Sequence, residues 1–193
     1  MATINDAEGF NRLMQSCTVL FDIHPSMLSD MIINTCPPII LDEKIQNAGI
    51  NFMNSLYTAE QTVVRRIRTE GYSKMDGSLL YKLIRHFELV TMPSEGWSKA
   101  PKPHALNQGD DVERFRYLQN SVFHRTQFAM TPTESKRFFE GFRQCAELLD
   151  RYLQRPTKVF TDEFTKVQST TVNDAASRIY HYKFEETHQM TGN

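Results

Sequence analysis

Three polar residues at four-residue steps, Arg116, Asn120 and His124, are the part of this sequence best suited to chemistry. They lie in the stretch from Asp111 to His124. Read as a helix turning about 100° per residue, it lines them up on one side and gathers Val112, Phe115, Leu118 and Val122 on another flank. The apolar flank explains burial, and the polar line is not needed for it. A guanidinium, a carboxamide and an imidazole in a row can hold a phosphate. The arginine brings fixed charge and a fork of donors, and the imidazole can move a proton near neutral pH. The same residue types also make an ordinary solvated helix face, so spacing alone leaves both readings open.

The elements that would position these residues are helical. Asn5 with Glu8 three residues on has the form of a capping box, and Phe10, Leu13, Met14, Cys17, Leu20 and Phe21 follow at helical spacing, which predicts a first helix over 6–23. His24-Pro25-Ser26 opens a short second helix through Met27, Met31 and Ile32, closed by the extended Cys36-Pro37-Pro38. Two helices are expected over 42–56 and 58–70 around a break at Tyr57, with Thr58 and Gln61 as a cap, and Gly71 as the stop. A further helix over 76–89 would face Leu79, Leu80, Leu83, Ile84 and Phe87 inward. Residues 91–109, rich in proline and holding Trp97, read as a long ordered loop with the tryptophan anchored on the bundle.

After the polar line, Thr131-Pro132-Thr133-Glu134 supplies a cap, a proline at the first helical position and a carboxylate at the third. A long helix to about residue 154 follows, with Phe138, Phe139, Phe142, Cys145, Leu148, Leu149 and Leu153 as its core stripe. Beyond Pro156 the pattern weakens into short helices over 159–167 and 177–184 and a frayed end. The organisation expected is a helical domain over 1–155 and a C-terminal helical or partly frayed extension over 156–193.

Composition bounds the rest. The chain has 193 residues, 40% of them hydrophobic and 23% charged, enough to bury a sizeable core. Eight glycines and eight prolines are too few for a turn-rich sheet protein. A net charge of −1 provides no global attraction to nucleic acid, so any such binding needs a local patch. Arg65, Arg66, Arg68 and Lys74 form one, offset in part by Glu70. Cys17, Cys36 and Cys145 have no pairing motif, which fits a reducing compartment. With no signal-peptide pattern at Met1 and no long apolar window, the expected location is cytoplasmic, without a membrane span. His24, His86, His104, His181 and His188 show no metal-ligand spacing, so neither a metal nor a cofactor is expected.

The stretch ending at His124 resembles the signature of HEPN domains (higher eukaryotes and prokaryotes nucleotide-binding), in which an arginine, usually followed by Asn or Asp, precedes a histidine with four to six residues between them. The aligned run here is Gln119-Asn120-Ser121-Val122-Phe123-His124. Further likeness, over roughly 8–153, points to the subgroup named after the DAZ-interacting zinc-finger, RNA-binding ubiquitin ligase. It comprises Phe10 to Leu13, Asp76 to Arg85, Pro93 to Trp97 with Pro101, and Asp111 to His124. The resemblance implies an all-α, up-down helical bundle of four or five main helices with additional short ones. It implies RNA as the substrate class and, in active members, metal-independent cleavage in which histidine helps to remove the 2′-hydroxyl proton and arginine stabilises the charge on the phosphate. It also implies a homodimer that faces its motif helices together.

One departure matters. Gln119 stands where the motif has arginine, and an amide cannot neutralise a phosphate. Arg116, one turn earlier, is the nearest substitute. Two functions therefore stay open. One is an RNA-binding domain with weak or lost endoribonuclease activity, using His124, Asn120 and Arg116 as catalytic residues and Gln119 as a substrate contact. The other is an inactive dimerisation or adaptor module, of the kind similar domains supply in stress and innate-immune proteins. The chain lacks the Cys/His ring of a RING, so the ligase activity of the longer relative does not carry over.

Overall fold

The first seventy residues show how proline and glycine placement cuts a largely helical sequence into pieces. In this computed structural model, which describes residues 4–155 and 158–191 and their side chains over 7–155 and 158–186, α1 (Ile4–Thr18) runs without a turn into a π-helical segment (Val19–Ile23) and α2 (His24–Ile32). The sequence reading separates these helices at His24-Pro25. Pro25 has no N–H, so the backbone meets it with a wide turn instead, and the His24 N–H donates to Val19 O, five residues back. The side chain of Asn5, the expected cap, and Pro156, the expected boundary, lie outside the described residues, as does the His188 side chain.

The third helix, α3 (Pro38–Asn54), begins four residues before the expected Asp42. Pro37 and Pro38 were expected to close the previous element, but proline also suits the first helical position, and here Pro38 takes it. Gly49, at φ +71°, breaks this helix internally, a conformation that glycine adopts at low cost. Next come α4 (Thr58–Val64) and α5 (Ile67–Glu70), the latter stopped by Gly71 at φ +61° as expected. The cap of α4 is not the expected Thr58 and Gln61. Glu60 Oε2 accepts the Tyr57 N–H at 2.9 Å.

The inner helices follow the apolar pattern closely. In α6 (Gly77–His86), Asp76 caps the first turn through the Leu79 N–H at 2.8 Å, and Leu79, Leu80, Leu83 and Ile84 are buried. α7 (Gln108–Phe123) carries the motif, and α8 (Pro132–Tyr152) opens with the Thr131–Glu134 capping box. α8 packs against α1, α2, α7 and α9 (Val159–Ser169), while α1 also meets α7 and α10 (Asp174–Thr191). Phe160 and Phe164 of α9 and Tyr180 and Phe184 of α10 are buried in the same core as the rest. The result is an all-α bundle; no helix among the described residues is long and apolar enough to cross a membrane.

Phe142 is the hub of that core. Its ring lies 5.2 Å from Phe115 of α7, 4.7 Å from Phe138 and 5.8 Å from Phe164, so one side chain links three helices. Truncating such a residue to alanine costs about 3–5 kcal/mol. His24 sits beside it, 5.0 Å from Phe115 and 5.7 Å from Phe142, fully buried and with neither ring nitrogen hydrogen-bonded. It fits because residue 77 is glycine: a Cβ there would lie 2.5 Å from His24 Nδ1.

Burial pushes the His24 imidazole down to about 3, whereas the unfolded chain titrates near 6.5. Between those values the unfolded chain takes up a proton that the folded core excludes, so stability from the neutral ring is complete above about pH 6.5 and falls as pH drops toward 3. Relative to His24→Met, the wild type should therefore lose about 1.4 kcal/mol of unfolding free energy per pH unit below about pH 6. Urea titrations of both proteins from pH 7.5 downward measure this, and parallel stability curves would contradict it.

Candidate functional site

The motif helix begins on buried carboxylates. Asn107 caps α7: its Oδ1 accepts the Asp110 N–H at 2.9 Å, and Asp110 Oδ2 accepts the Asn107 N–H at 3.3 Å. Asp110, Asp111 and Glu113 are 0%, 1% and 0% exposed, values tolerable for carboxylates only where donors surround them. The positive end of the helix dipole supplies part of the compensation for Asp110 and Asp111, which lie in the first turn. Asp110 also accepts the Ser94 N–H and hydroxyl, each at 2.8 Å. Glu113 Oε1 accepts the Tyr81 hydroxyl at 2.8 Å and the Ser98 N–H at 2.7 Å, while its Oε2 accepts Arg116 Nε at 2.7 Å.

Asp111 is the least satisfied of the three. One oxygen accepts Arg114 Nη1 at 2.5 Å and the other is buried without a partner. Burial pushes this carboxyl up to about 7, against the downward pull of Arg114. Arg114 in turn donates to the carbonyls of Ala105 and Lys102, tying the loop to the helix. These carboxylates therefore hold the 94–105 stretch in place. Asn107 lies inside the expected loop over 91–109 and Asp110 just past its end, so the sequence reading does not pair them; the Asn107-x-x-Asp110 spacing is the signal that could have done so.

On the motif face, the structure places the four expected residues differently. Arg116 has 21% of its side chain exposed, and its guanidinium is paired with Glu113 and rests 5.8 Å from the Tyr81 ring and 5.5 Å from that of Tyr117. Gln119 donates through Nε2 to the Ser78 hydroxyl at 2.9 Å, docking it on the first turn of α6. Asn120 is half-buried. His124 is exposed and no longer helical. It is the C-cap residue, at φ −92° and ψ 19°, joined to the line by its N–H donating to Asn120 O at 3.0 Å. On the apolar flank Val112, Phe115 and Val122 are buried, while Leu118 is half-buried at a close approach to α8, where a Cβ on Gly141 would lie 2.8 Å from its Cδ1.

The arginines of this segment are all paired with carboxylates. Arg114 meets Asp111, Arg116 meets Glu113, and Arg125, just beyond the helix, meets Glu134 at 3.0 Å. The bond from Arg125, together with those from the Thr131 backbone and hydroxyl, holds the Glu134 carboxyl down to about 2. Nor does the separate basic patch stand alone, since Arg66 lies 3.5 Å from Glu70 and Arg68 3.7 Å from Asp42. Trp97 is half-buried against the core, edge-on to Tyr81 at 6.0 Å. Among the described residues no group of three or more His, Cys, Asp or Glu side chains is placed to hold a metal ion.

Against known proteins, residues 53–179 match the model of the DZIP3/hRUL138-like HEPN family. The chain belongs to this family. The match starts and ends later than the 8–153 over which the sequence shows likeness, taking in α9 and the start of α10. It includes Gln119, Asn120 and His124. No curated protein and no solved structure matches the chain. In this HEPN domain, then, the motif helix keeps the amide and the imidazole, and its arginines face carboxylates.

Removing the Glu113 charge should expose that dependence. Glu113→Gln leaves the Arg116 guanidinium half-buried and unpaired, and it should lower the unfolding free energy by about 3 kcal/mol. Tyr81→Phe, which removes one donor to the same oxygen, should cost only about 1 kcal/mol. Urea midpoints of the two variants test this, and equal midpoints would contradict the ordering.

Proposed function

We propose that this HEPN domain works as a non-catalytic assembly module rather than as a ribonuclease. The observation that carries this reading is the pairing of Arg116 with the fully buried Glu113. Phosphodiester cleavage of this kind needs a cation whose field reaches the phosphate as charge builds up, and losing one such donor costs on the order of 10²- to 10³-fold in rate. Freeing Arg116 would strand a carboxylate away from water, which is strongly unfavourable. Gln119, at the motif position, carries no charge and is held by Ser78. What this face offers a partner is a set of fixed polar groups around the exposed Tyr117, at 50% exposure, a surface suited to association.

A second reading, RNA binding without cleavage, is favoured by one observation: His124 is exposed and Asn120 is half-exposed at the motif positions. The two readings differ in what Gln119→Arg does. It restores a guanidinium at the motif spacing from His124, which should add RNA affinity to a domain that otherwise has little.

Incubated with single-stranded RNA in EDTA, the wild type should cleave no faster than His124→Ala, and Gln119→Arg should bind that RNA more tightly than the wild type. Cleavage by the wild type that His124→Ala abolishes would overturn the assembly reading. Mass measurement in solution should give a dimer at tens of micromolar; a strict monomer there would remove self-association from the proposal.

A further inference from the structure

Where the chain enters α8, several donors converge on one anion that the protein supplies itself. Glu134 Oε1 accepts Arg125 Nη1 at 3.0 Å. Its Oε2 accepts Arg125 Nη2 at 3.1 Å, the Thr131 N–H at 2.8 Å and the Thr131 hydroxyl at 2.7 Å. Arg125 has only 14% of its side chain exposed; its Nη2 also donates to Ala129 O at 2.7 Å, and its Nε is buried with no acceptor. The guanidinium therefore holds a carboxylate and still has a donor to spare, a setting that suits an anion with more oxygens and more charge.

The group beside this cradle is an alcohol followed by proline. Thr131-Pro132 is the one place in the sequence where proline follows a serine or threonine. Thr131, Pro132 and Thr133 are exposed, and Ala129 and Met130 before them have no regular structure. Thr131 lies at φ −69° and ψ 158°, the extended conformation that a following proline favours. Behind it Met130 is pinned to α1, its N–H donating to Gly9 O at 2.9 Å and its carbonyl accepting Arg12 Nε at 2.7 Å. An enzyme that takes the alcohol and the proline in extended form thus meets them on a fixed base, and only the bond from the hydroxyl to Glu134 has to open.

We propose that Thr131 is a phosphorylation site for a proline-directed protein kinase, and that the phosphate takes Arg125 from Glu134. In the reaction Oγ1 attacks the γ-phosphorus of ATP, the bond to the β-phosphate oxygen breaks, ADP leaves, and the hydroxyl proton passes to a base of the kinase. The product has lost the hydrogen that bound Glu134 and carries about 1.5 to 2 negative charges at pH 7. It grows from an atom 2.7 Å from Glu134 Oε2, so its oxygens replace that carboxylate in front of the Arg125 fork and the Thr131 N–H. Repelled by the phosphate, Glu134 turns to solvent, to which 43% of its side chain is already open. Negative charge stays at the start of α8 throughout, which keeps the favourable interaction with the helix dipole. What changes is the segment from Arg125 to Thr131, which follows directly on His124 and becomes more acidic, disfavouring anionic partners beside the motif helix.

The test is treatment of the purified full chain with a proline-directed protein kinase and Mg-ATP, read by intact mass and by fragment mapping. The wild type and Thr131→Ser should each take up about one phosphate, at residue 131, while Pro132→Ala, which keeps the hydroxyl, should react about tenfold more slowly or worse. Thermal midpoints check that the variants are folded; should Pro132→Ala fail to fold, Pro132→Glu, favourable in a first helical turn, takes its place. In the phosphorylated wild type, a phosphorus NMR titration should place the second phosphate pKa at least about half a unit below that of phosphorylated Arg125→Gln, because a guanidinium in contact favours the dianion. The proposal is overturned if the folded chain takes up no phosphate, if uptake maps elsewhere, if removing the proline leaves the rate unchanged, or if the two phosphoproteins titrate alike.

Discussion

A carboxylate shut away from water has to be met by donors on both oxygens, and Glu113 imposes that requirement on everything around it. Its partners come from three parts of the chain: Tyr81 from α6, Ser98 from the loop before α7, and Arg116 from the next turn of α7 itself. Each is fixed as a consequence. Tyr81 turns its edge to Trp97, which seats the loop on the bundle; Arg116 is drawn back along its own helix; and α6 is held against α7 at the height where Gln119 meets Ser78. Desolvating the carboxylate is expensive, and it is tolerated because these bonds form together; loss of any one leaves the others bound to an under-satisfied charge.

Asp110 and Asp111 extend the same constraint toward the start of α7. They capture Ser94 and, through Arg114, the carbonyls of Lys102 and Ala105. A proline-rich loop with little regular structure is thereby ordered from beneath by buried acids. On the opposite side of α7 the linkage is apolar. Phe115 contacts Phe142 of α8 and the His24 ring, and His24 occupies the space left by the missing side chain of Gly77. α6 is therefore gripped twice, by a polar clamp at Tyr81 and by a steric fit at Gly77.

This arrangement changes what the HEPN motif means in this chain. A motif is a statement about residue types at a spacing, and Asn120 and His124 satisfy it. Whether a nearby arginine can serve a phosphate depends on where its charge is already committed, and the arginines along α7 and the turn after it are committed to carboxylates. The same ion pairs that order the loop and the helix withdraw positive charge from the surface. A fold that stabilises itself in this way leaves little unpaired arginine charge along this helix.

The sequence alone determined the helical class, because apolar residues at helical spacing define a buried stripe wherever the chain folds. Leu79, Leu80, Leu83 and Ile84, and the run of α8 from Phe138 to Leu149, could be assigned inward without coordinates. The capping box at Thr131 and the stop at Gly71 were equally local and equally legible. The sequence also identified the family, through residues whose order is preserved. It misplaced features whose outcome depends on competition between neighbours: Pro38 could end one helix or begin another, and Pro25 could break a helix or be absorbed by a wider turn. The burial of Asp110, Asp111 and Glu113 was beyond its reach, since nothing local distinguishes a carboxylate destined for water from one destined for Tyr81 and the Ser98 backbone, 32 and 15 residues away. Tertiary structure decided that, and with it the fate of the Arg116 charge, because electrostatic neutralisation depends on distance in space and not on separation along the chain.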